Sequence, residues 1–166
     1  MGFSCGYNSV ATRTDGTLWV WGAGGYGNNG QGNTTAYSSP VQIGSATDWA
    51  SGGSGYNFVH AIKTNGTLWG WGMNSYGQLG IDTSFDSRSS PVQIGSLTDW
   101  KLVLSGYETS RFVKTDGTLW MSGRNDQGQL GNGNTTNVTS PIQVGSATDW
   151  GYIMGGYKHT AATRDI

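Results

Sequence analysis

"KTNGTLWGWGMNSYGQLG", residues 63–80, places five glycines, two tryptophans and an Asn-Gly pair within eighteen residues. Alone it reads equally well as a binding loop or as scaffold. The rest of the chain decides, because nearly the same words return twice. Thr14-Asp15-Gly16-Thr17-Leu18-Trp19, Thr64-Asn65-Gly66-Thr67-Leu68-Trp69 and Thr115-Asp116-Gly117-Thr118-Leu119-Trp120 are one phrase. Pro40-Val41-Gln42-Ile43-Gly44, Pro91-Val92-Gln93-Ile94-Gly95 and Pro141-Ile142-Gln143-Val144-Gly145 are another. A Thr-Asp-Trp phrase ends at Trp49, Trp100 and Trp150, and the period is 50 or 51 residues. A recurrence of that length marks a structural repeat.

The spacing inside each copy carries more. From the proline to the next Thr-Asp-Trp tryptophan is always nine residues, and from there to the Gly-Thr-Leu-Trp tryptophan is twenty. Only the stretch from Gly72 to Pro91 is longer than its counterparts, by one residue. Fixed spacing is what paired strands demand, since one inserted residue turns every following side chain to the other face. The variable stretch is a loop. Asp-Gly and Asn-Gly predict two-residue type I′ hairpins, with positive φ at both centres. The Thr-Leu-Trp-x-Trp run puts Trp19 and Trp21, or Trp69 and Trp71, on one strand face. Pro-Val-Gln-Ile reads as an outer edge strand beginning at its proline, and Thr-Asp-Trp opens a fourth. Four short strands per repeat predict an all-β chain of β-propeller blades, about three and a third of them. The repeats fall at approximately 1–48, 49–99, 100–149 and a partial 150–166, in one repeat domain.

Composition agrees. Glycine supplies 29 positions and Trp plus Tyr 16, while charged residues make up only 11 %. Large aromatics at regular intervals argue for an ordered fold over a Gly-rich linker. A net charge of −1 with no basic run argues against a counterion-releasing grip on nucleic acid. No apolar stretch approaches the ~20 residues of a membrane span, and MGFSCGYNSV lacks the features of a signal peptide. The lone Cys5 has no disulfide partner within the chain.

Trp71-Gly72-Met73-Asn74-Ser75-Tyr76-Gly77-Gln78-Leu79-Gly80 resembles the Trp-Gly-x-Asn-x-x-Gly-Gln-Leu-Gly hallmark of the regulator of chromosome condensation repeat, here in a bacterial or phage-like variety. The likeness extends over essentially the whole chain and implies β-propeller blades. Two departures predict looser packing: Asn28-Asn29 where Gln-Leu is expected, and Ser122 where the second tryptophan is expected. The namesake's nucleotide exchange on a small GTPase and its chromatin contact are what the resemblance alone implies. No inserted wedge or basic tail accompanies them here. A plant photoreceptor of the same fold uses Gly-Trp-Arg-His-Thr, whereas Gly6-Tyr7, Gly55-Tyr56, Gly106-Tyr107 and Gly156-Tyr157 carry tyrosine and no arginine follows.

Several motifs invite a chemical reading that their context denies. Gly22-Ala23-Gly24-Gly25-Tyr26-Gly27 matches a dinucleotide fingerprint but runs on into turn residues and not into a helix. Gly2-Phe3-Ser4-Cys5-Gly6 matches a nucleophile elbow yet aligns with inner strand. Asp82–Asp86 alternates oxygen ligands, but Gln93 stands where a calcium loop closes with a carboxylate. His60 and His159 have no companion ligand at metal spacing; His159, at a Gly-x-x-His-Thr position, is expected in the core. The Asn-x-Thr sequons at Asn33, Asn65, Asn134 and Asn137 read as turn chemistry. The recurring tryptophans fit blade-to-blade packing, where burying each removes ~150–250 Å² from water and contributes up to about 4–6 kcal/mol.

Three blades and a fraction do not close a ring, and both ends supply the same front half of a blade, so they do not complete one another. Self-association to complete a ring is therefore expected. The reading is a non-enzymatic recognition or structural module with no cofactor or metal. It is expected at a cell surface, extracellular space or virion, with a protein or glycan partner. A lectin-like propeller and a GTPase regulator are its rivals. Packing explains positions that keep the repeat, so candidate binding residues are those that break it: Tyr26, Tyr37, Phe85, Arg88, Arg124 and Asp126. The turn tyrosines Tyr7, Tyr56, Tyr107 and Tyr157 form a second candidate surface.

Overall fold

The computed structural model describes residues 3–4, 6–82, 85–156 and 159–164. Every regular element among them is a strand. After a two-residue strand β1 (Phe3–Ser4), which pairs outside this sheet, blade 1 comprises β2 (Asn8–Thr12), β3 (Leu18–Gly22) and β4 (Tyr37–Gln42). Blade 2 comprises β5 (Trp49–Ser54), β6 (Phe58–Lys63), β7 (Leu68–Gly72) and β8 (Arg88–Gln93). Blade 3 comprises β9 (Trp100–Ser105), β10 (Thr109–Lys114), β11 (Leu119–Gly123) and β12 (Val138–Gln143). A half-blade follows, β13 (Trp150–Gly155) and β14 (Thr160–Arg164).

Within blades 2 and 3 the four strands run antiparallel in chain order. β6 and β7 pair from Phe58↔Gly72 to Ile62↔Leu68 without slippage. β1 lies parallel to β5 at the inner margin, with Phe3 opposite Gly53. The chain is thus an arc of radial sheets.

The hydrophobic interior sits between the sheets. Val10, Leu18, Val20 and Ile43 of blade 1 meet Trp49, Val59 and Trp71 of blade 2. Ile62, Leu68 and Ile94 of blade 2 meet Trp100, Val103 and Phe112 of blade 3. Val113, Leu119, Met121 and Leu130 of blade 3 meet Ile153 of the half-blade. Alternation along each strand sends one set of side chains forward and the other back. Leu68 therefore faces blade 3 while Trp71, wholly buried, faces blade 1.

Four expectations need correction. Only Gly16, Gly66 and Gly117 have positive φ in the hairpins, near +78° each, and the Asp or Asn before them does not. Gly66 N–H donates to the Lys63 carbonyl at 2.9 Å, the pattern of a tight turn closed by a glycine bulge, not a type I′ pair. The outer strands begin three residues before their prolines, at Tyr37, Arg88 and Val138. The prolines fall beside register shifts, where a missing N–H leaves no ladder bond open. The divergent loop positions are bridged by hydrogen bonds, except at buried Asn28, whose side-chain oxygen and nitrogen have no hydrogen-bond partner among the described residues. Buried Asn29 donates to the Thr35 carbonyl at 2.7 Å and to Asn33 Oδ1 at 2.9 Å. Buried Ser122 donates to the Gln78 carbonyl at 3.4 Å. Finally, His159 is exposed, because among the described residues β13 and β14 form a two-stranded sheet with no further strand over it.

Candidate functional site

Strand alternation gives the arc two loop-bearing ends, and they differ in kind. The hairpin end is explained by packing. In each copy the turn carboxylate or amide oxygen accepts from a threonine hydroxyl, and that hydroxyl accepts from an indole N–H. The distances are 2.6 and 2.8 Å for Asp15–Thr17–Trp19, 2.7 and 3.0 Å for Asn65–Thr67–Trp69, and 2.7 and 2.8 Å for Asp116–Thr118–Trp120. The Thr17 and Thr118 hydroxyls hold Asp15 and Asp116 below the usual carboxylate range. Lys63 Nζ lies 5.0 Å from the ring centroids of both Trp49 and Trp69 and 3.0 Å from Asp48 Oδ1. Lys114 repeats this with Trp100, Trp120 and Asp99. The Thr-Asp-Trp and Gly-Thr-Leu-Trp phrases are thereby accounted for as one clamp, and Trp69 packs edge-on to Trp49 as blade packing requires.

The opposite end carries the recurring turn tyrosines and the loops that break the repeat. Tyr7, Tyr56 and Tyr107 come together there in a row. Tyr56 stacks on Tyr107 with centroids 4.1 Å apart, and Tyr7 tilts against Tyr56 at 4.8 Å. The Tyr7 and Tyr56 hydroxyls are 3.2 Å apart, and that bond pushes the Tyr7 phenol up. The backbone aligns the row: Tyr7 N–H donates to the Tyr56 carbonyl and Tyr56 N–H to the Gly106 carbonyl. Tyr7 stands one residue nearer its strand than the other two do. At the end of the row it is 62 % exposed. Tyr157 lies outside the described residues.

Arg124 and Asp126 form a second group on this end. Arg124 donates to Glu108 Oε2 at 2.7 Å and to Asp126 Oδ2 at 2.6 Å, and its guanidinium lies 4.8 Å from the Tyr76 ring centroid. The Asp126 and Glu108 carboxylates raise the arginine's pKa further. Glu108 and Tyr76 were not among the sequence candidates. The signal for Glu108 was available, since it is the chain's one glutamate and follows Tyr107 directly. Tyr76 lay inside the family hallmark and was absorbed by it. The remaining candidates are separate: Tyr26 and Phe85 are exposed in different loops, Tyr37 accepts from Asn33 at 3.2 Å, and Arg88 donates to the Ser87 carbonyl at 3.4 Å.

His60 is fully buried between the Phe58 and Phe112 rings, bonded to the Leu79 carbonyl at 3.1 Å and to Ser105 Oγ at 3.2 Å. Burial pushes its pKa down to about 4. A neutral, enclosed imidazole offers nothing to a ligand in solvent. Among the described residues no three His, Cys, Asp or Glu side chains gather as metal ligands.

Radial four-stranded sheets, each with a Trp-Gly loop and a clamped hairpin, define a repeat-built β-propeller arc. The chain belongs to the regulator of chromosome condensation (RCC1) repeat family, whose signature matches residues 65–113 and 116–163, with a second form of it at 50–78. It is similar in fold to yeast RCC1 (Prp20), solved bound to Kap60, at 19 % identity and a TM-score of 0.82, covering 95 % of this chain and 39 % of that one. Prp20p from Saccharomyces cerevisiae, described with its binding properties to Gsp1p and histones, gives 19 % and 0.82 over 95 % of this chain and 41 % of that one. Human WBSCR16 gives 19 % and 0.78 over 94 % and 44 %. The chain thus spans about two-fifths of the length of these propellers.

Proposed function

We propose that this chain is a non-enzymatic recognition module that binds a protein partner through the tyrosine-bearing end of the arc, at a cell or particle surface. The observation that carries the reading is the Tyr7–Tyr56–Tyr107 row. Three aromatic rings from three blades line up although blade packing does not require them, and the outermost is exposed. Tyrosine gives large contact area at small entropic cost and keeps a hydroxyl for hydrogen bonding. The Arg124–Glu108–Asp126 group beside it supplies polar specificity. The binding of Gsp1p and histones by the yeast relative supports a protein partner in kind. The surface setting rests on low charge and abundant Gly, Asn, Ser and Thr.

The test compares the native chain with a Tyr7→Ala/Tyr56→Ala/Tyr107→Ala variant and a Lys101→Ala control, whose exposed lysine lies at the hairpin end. All three are presented to surface-protein and glycan arrays, to histones and to small GTPases loaded with fluorescent nucleotide. The proposal expects a protein ligand weakened by about tenfold or more in the triple variant and unchanged in the control. A ligand that is a glycan, accelerated nucleotide release, or protein binding indifferent to the three tyrosines would each overturn it.

A further inference from the structure

The two open faces of the arc are complementary, and we propose that a second copy of this chain docks there head to tail. Its β2–β3–β4 sheet takes the place of β14 against β13 and completes the half-blade. This concerns the flanks of the arc and is independent of what the tyrosine row binds.

The socket is visible by comparing equivalent positions. At the junction of blades 1 and 2, a Cβ on Gly27 would run into the Ser89 backbone, and one on Gly30 would meet Ile43 and the Trp71 indole. At the next junction Gly77 faces the Thr139 backbone, and Gly80 faces Pro141 and Ser122. In blade 3 the same loop is open. Among the described residues, Gly128 has nothing within 4 Å, and Gly131 meets only Val144, the counterpart of Ile43. A cavity of about 440 Å³ stands there, walled by Leu119, Met121, Leu130, Val144 and Trp150. It has the place and the lining that the other junctions fill with an incoming third strand.

The plug is at the other end. Trp19 and Trp21 of β3 are the counterparts of Trp69 and Trp71, but they face away from blade 2 and remain half-buried. With Ala11, Arg13 and Pro40 they line an apolar recess of about 380 Å³. Trp71 donates its indole N–H to the Asn28 carbonyl at 3.3 Å, and Ser122 reaches the equivalent Gln78 carbonyl. The next acceptor in the series is Gln129, on the rim of the socket. Trp21 of a second copy is the matching donor, and Trp19 then meets Trp150 as Trp69 meets Trp49.

β14 is a close likeness of β2, which permits exchange where simple addition fails. Thr160-Ala161-Ala162-Thr163-Arg164 aligns with Ser9-Val10-Ala11-Thr12-Arg13. Arg111 Nε donates to Thr160 Oγ1 at 2.9 Å, and Ser9 brings a hydroxyl to that position. Arg164 grips both oxygens of Asp149, at 2.7 and 2.9 Å. Arg13 meets Asp15 in an exposed contact at 3.5 Å and lies 5.8 Å from the Trp19 ring centroid, at the edge of the recess, so it is placed to take over Asp149. β2 holds Val10 in the core whereas β14 leaves three of its five residues exposed, so β14 is the strand that yields. Each copy then contributes two whole blades and shares two composite ones, and two copies close a six-bladed ring, within the four to eight of known propellers. The contact is heterologous and closes by rotation.

Sedimentation velocity should give a discrete dimer for the native chain. Trp21→Ser, which copies the natural Ser122 at an equivalent position, should weaken it by about tenfold or more while leaving the far-ultraviolet circular dichroism unchanged. In a Cys5→Ser background, the pair Arg13→Cys and Asp149→Cys should form a disulfide between copies, since two blades separate them within one chain. A native chain that stays monomeric at high concentration, as one whose flanks take further blades in cis would, overturns the proposal. So does a dimer that forms without that disulfide and is indifferent to Trp21→Ser, which would place the contact elsewhere.

Discussion

His60 shows what a repeat position can hide. Its counterparts are Val10 and Arg111, so the same site in three blades holds an apolar, a neutral aromatic and a cationic side chain, all buried. Periodicity made the burial legible, but the chemistry of each occupant follows from what the next blade offers it: a carbonyl and a hydroxyl for His60, the Thr160 hydroxyl for Arg111. The consequence for His60 is a pH dependence. Its folded pKa, about 4, lies below the ordinary 6.5, so the unfolded chain binds the proton first as pH falls. The stabilising contribution is therefore complete above about 6.5 and declines down to about 4, by roughly 3 kcal/mol if the full shift is expressed. Urea melts at pH 7.5, 6 and 5 should show this loss, and His60→Gln should flatten it across that window. The aspartates held low by threonine and arginine neighbours act in the same direction only at more acidic pH. A His60 imidazole resonance, assigned by its loss in His60→Gln, that titrates near 6.5 in the folded chain would contradict the prediction.

At the scale of the element, the hairpin glycines do two things that only one line of sequence reasoning anticipated. Gly66 is left-handed at φ +78°, and its missing Cβ also leaves room for the Thr98 carbonyl of the connection into blade 3. Trp100 N–H donates to the Gly66 carbonyl at 3.2 Å across the same gap. The turn was legible from Asn-Gly, but its type was not, since the choice between two and three loop residues depends on where Thr67 pairs with Lys63. The blade-crossing contact was illegible for the same reason: periodicity reveals that a residue recurs and not which backbone presses on it. Gly66→Ala should destabilise by about 1–3 kcal/mol through φ strain and this collision. Gly25→Ala, at a glycine without positive φ and with open space around it, should stay within about 0.5 kcal/mol. Paired denaturant titrations check both, and equal effects would refute the assignment.

At the scale of the molecule, stability is distributed along a line of junctions. Each hydrophobic cluster joins one blade to the next, and blade 2 alone is shared by the first two clusters. The arc and its blades were readable because packing between sheets repeats and leaves a periodic trace. The recognition end was readable only in part. Tyr7, Tyr56 and Tyr107 recur and so could be placed together, whereas Tyr37, Phe85 and Arg88 occur once each and Tyr26 recurs only as Tyr76, with nothing in the spacing to relate their loops. In a chain held by neighbour contacts, damage should spread by one junction and no farther. Leu18 is fully buried between blades 1 and 2, and Leu18→Ala should cost about 2–4 kcal/mol there. Hydrogen exchange should then accelerate at the amides of β2 and β3, while those of β10 and β11, packed between the second and third clusters, keep their native protection. Uniform acceleration from β2 to β11 would show that the blades unfold as a single unit, and that closure of each junction depends on all the others.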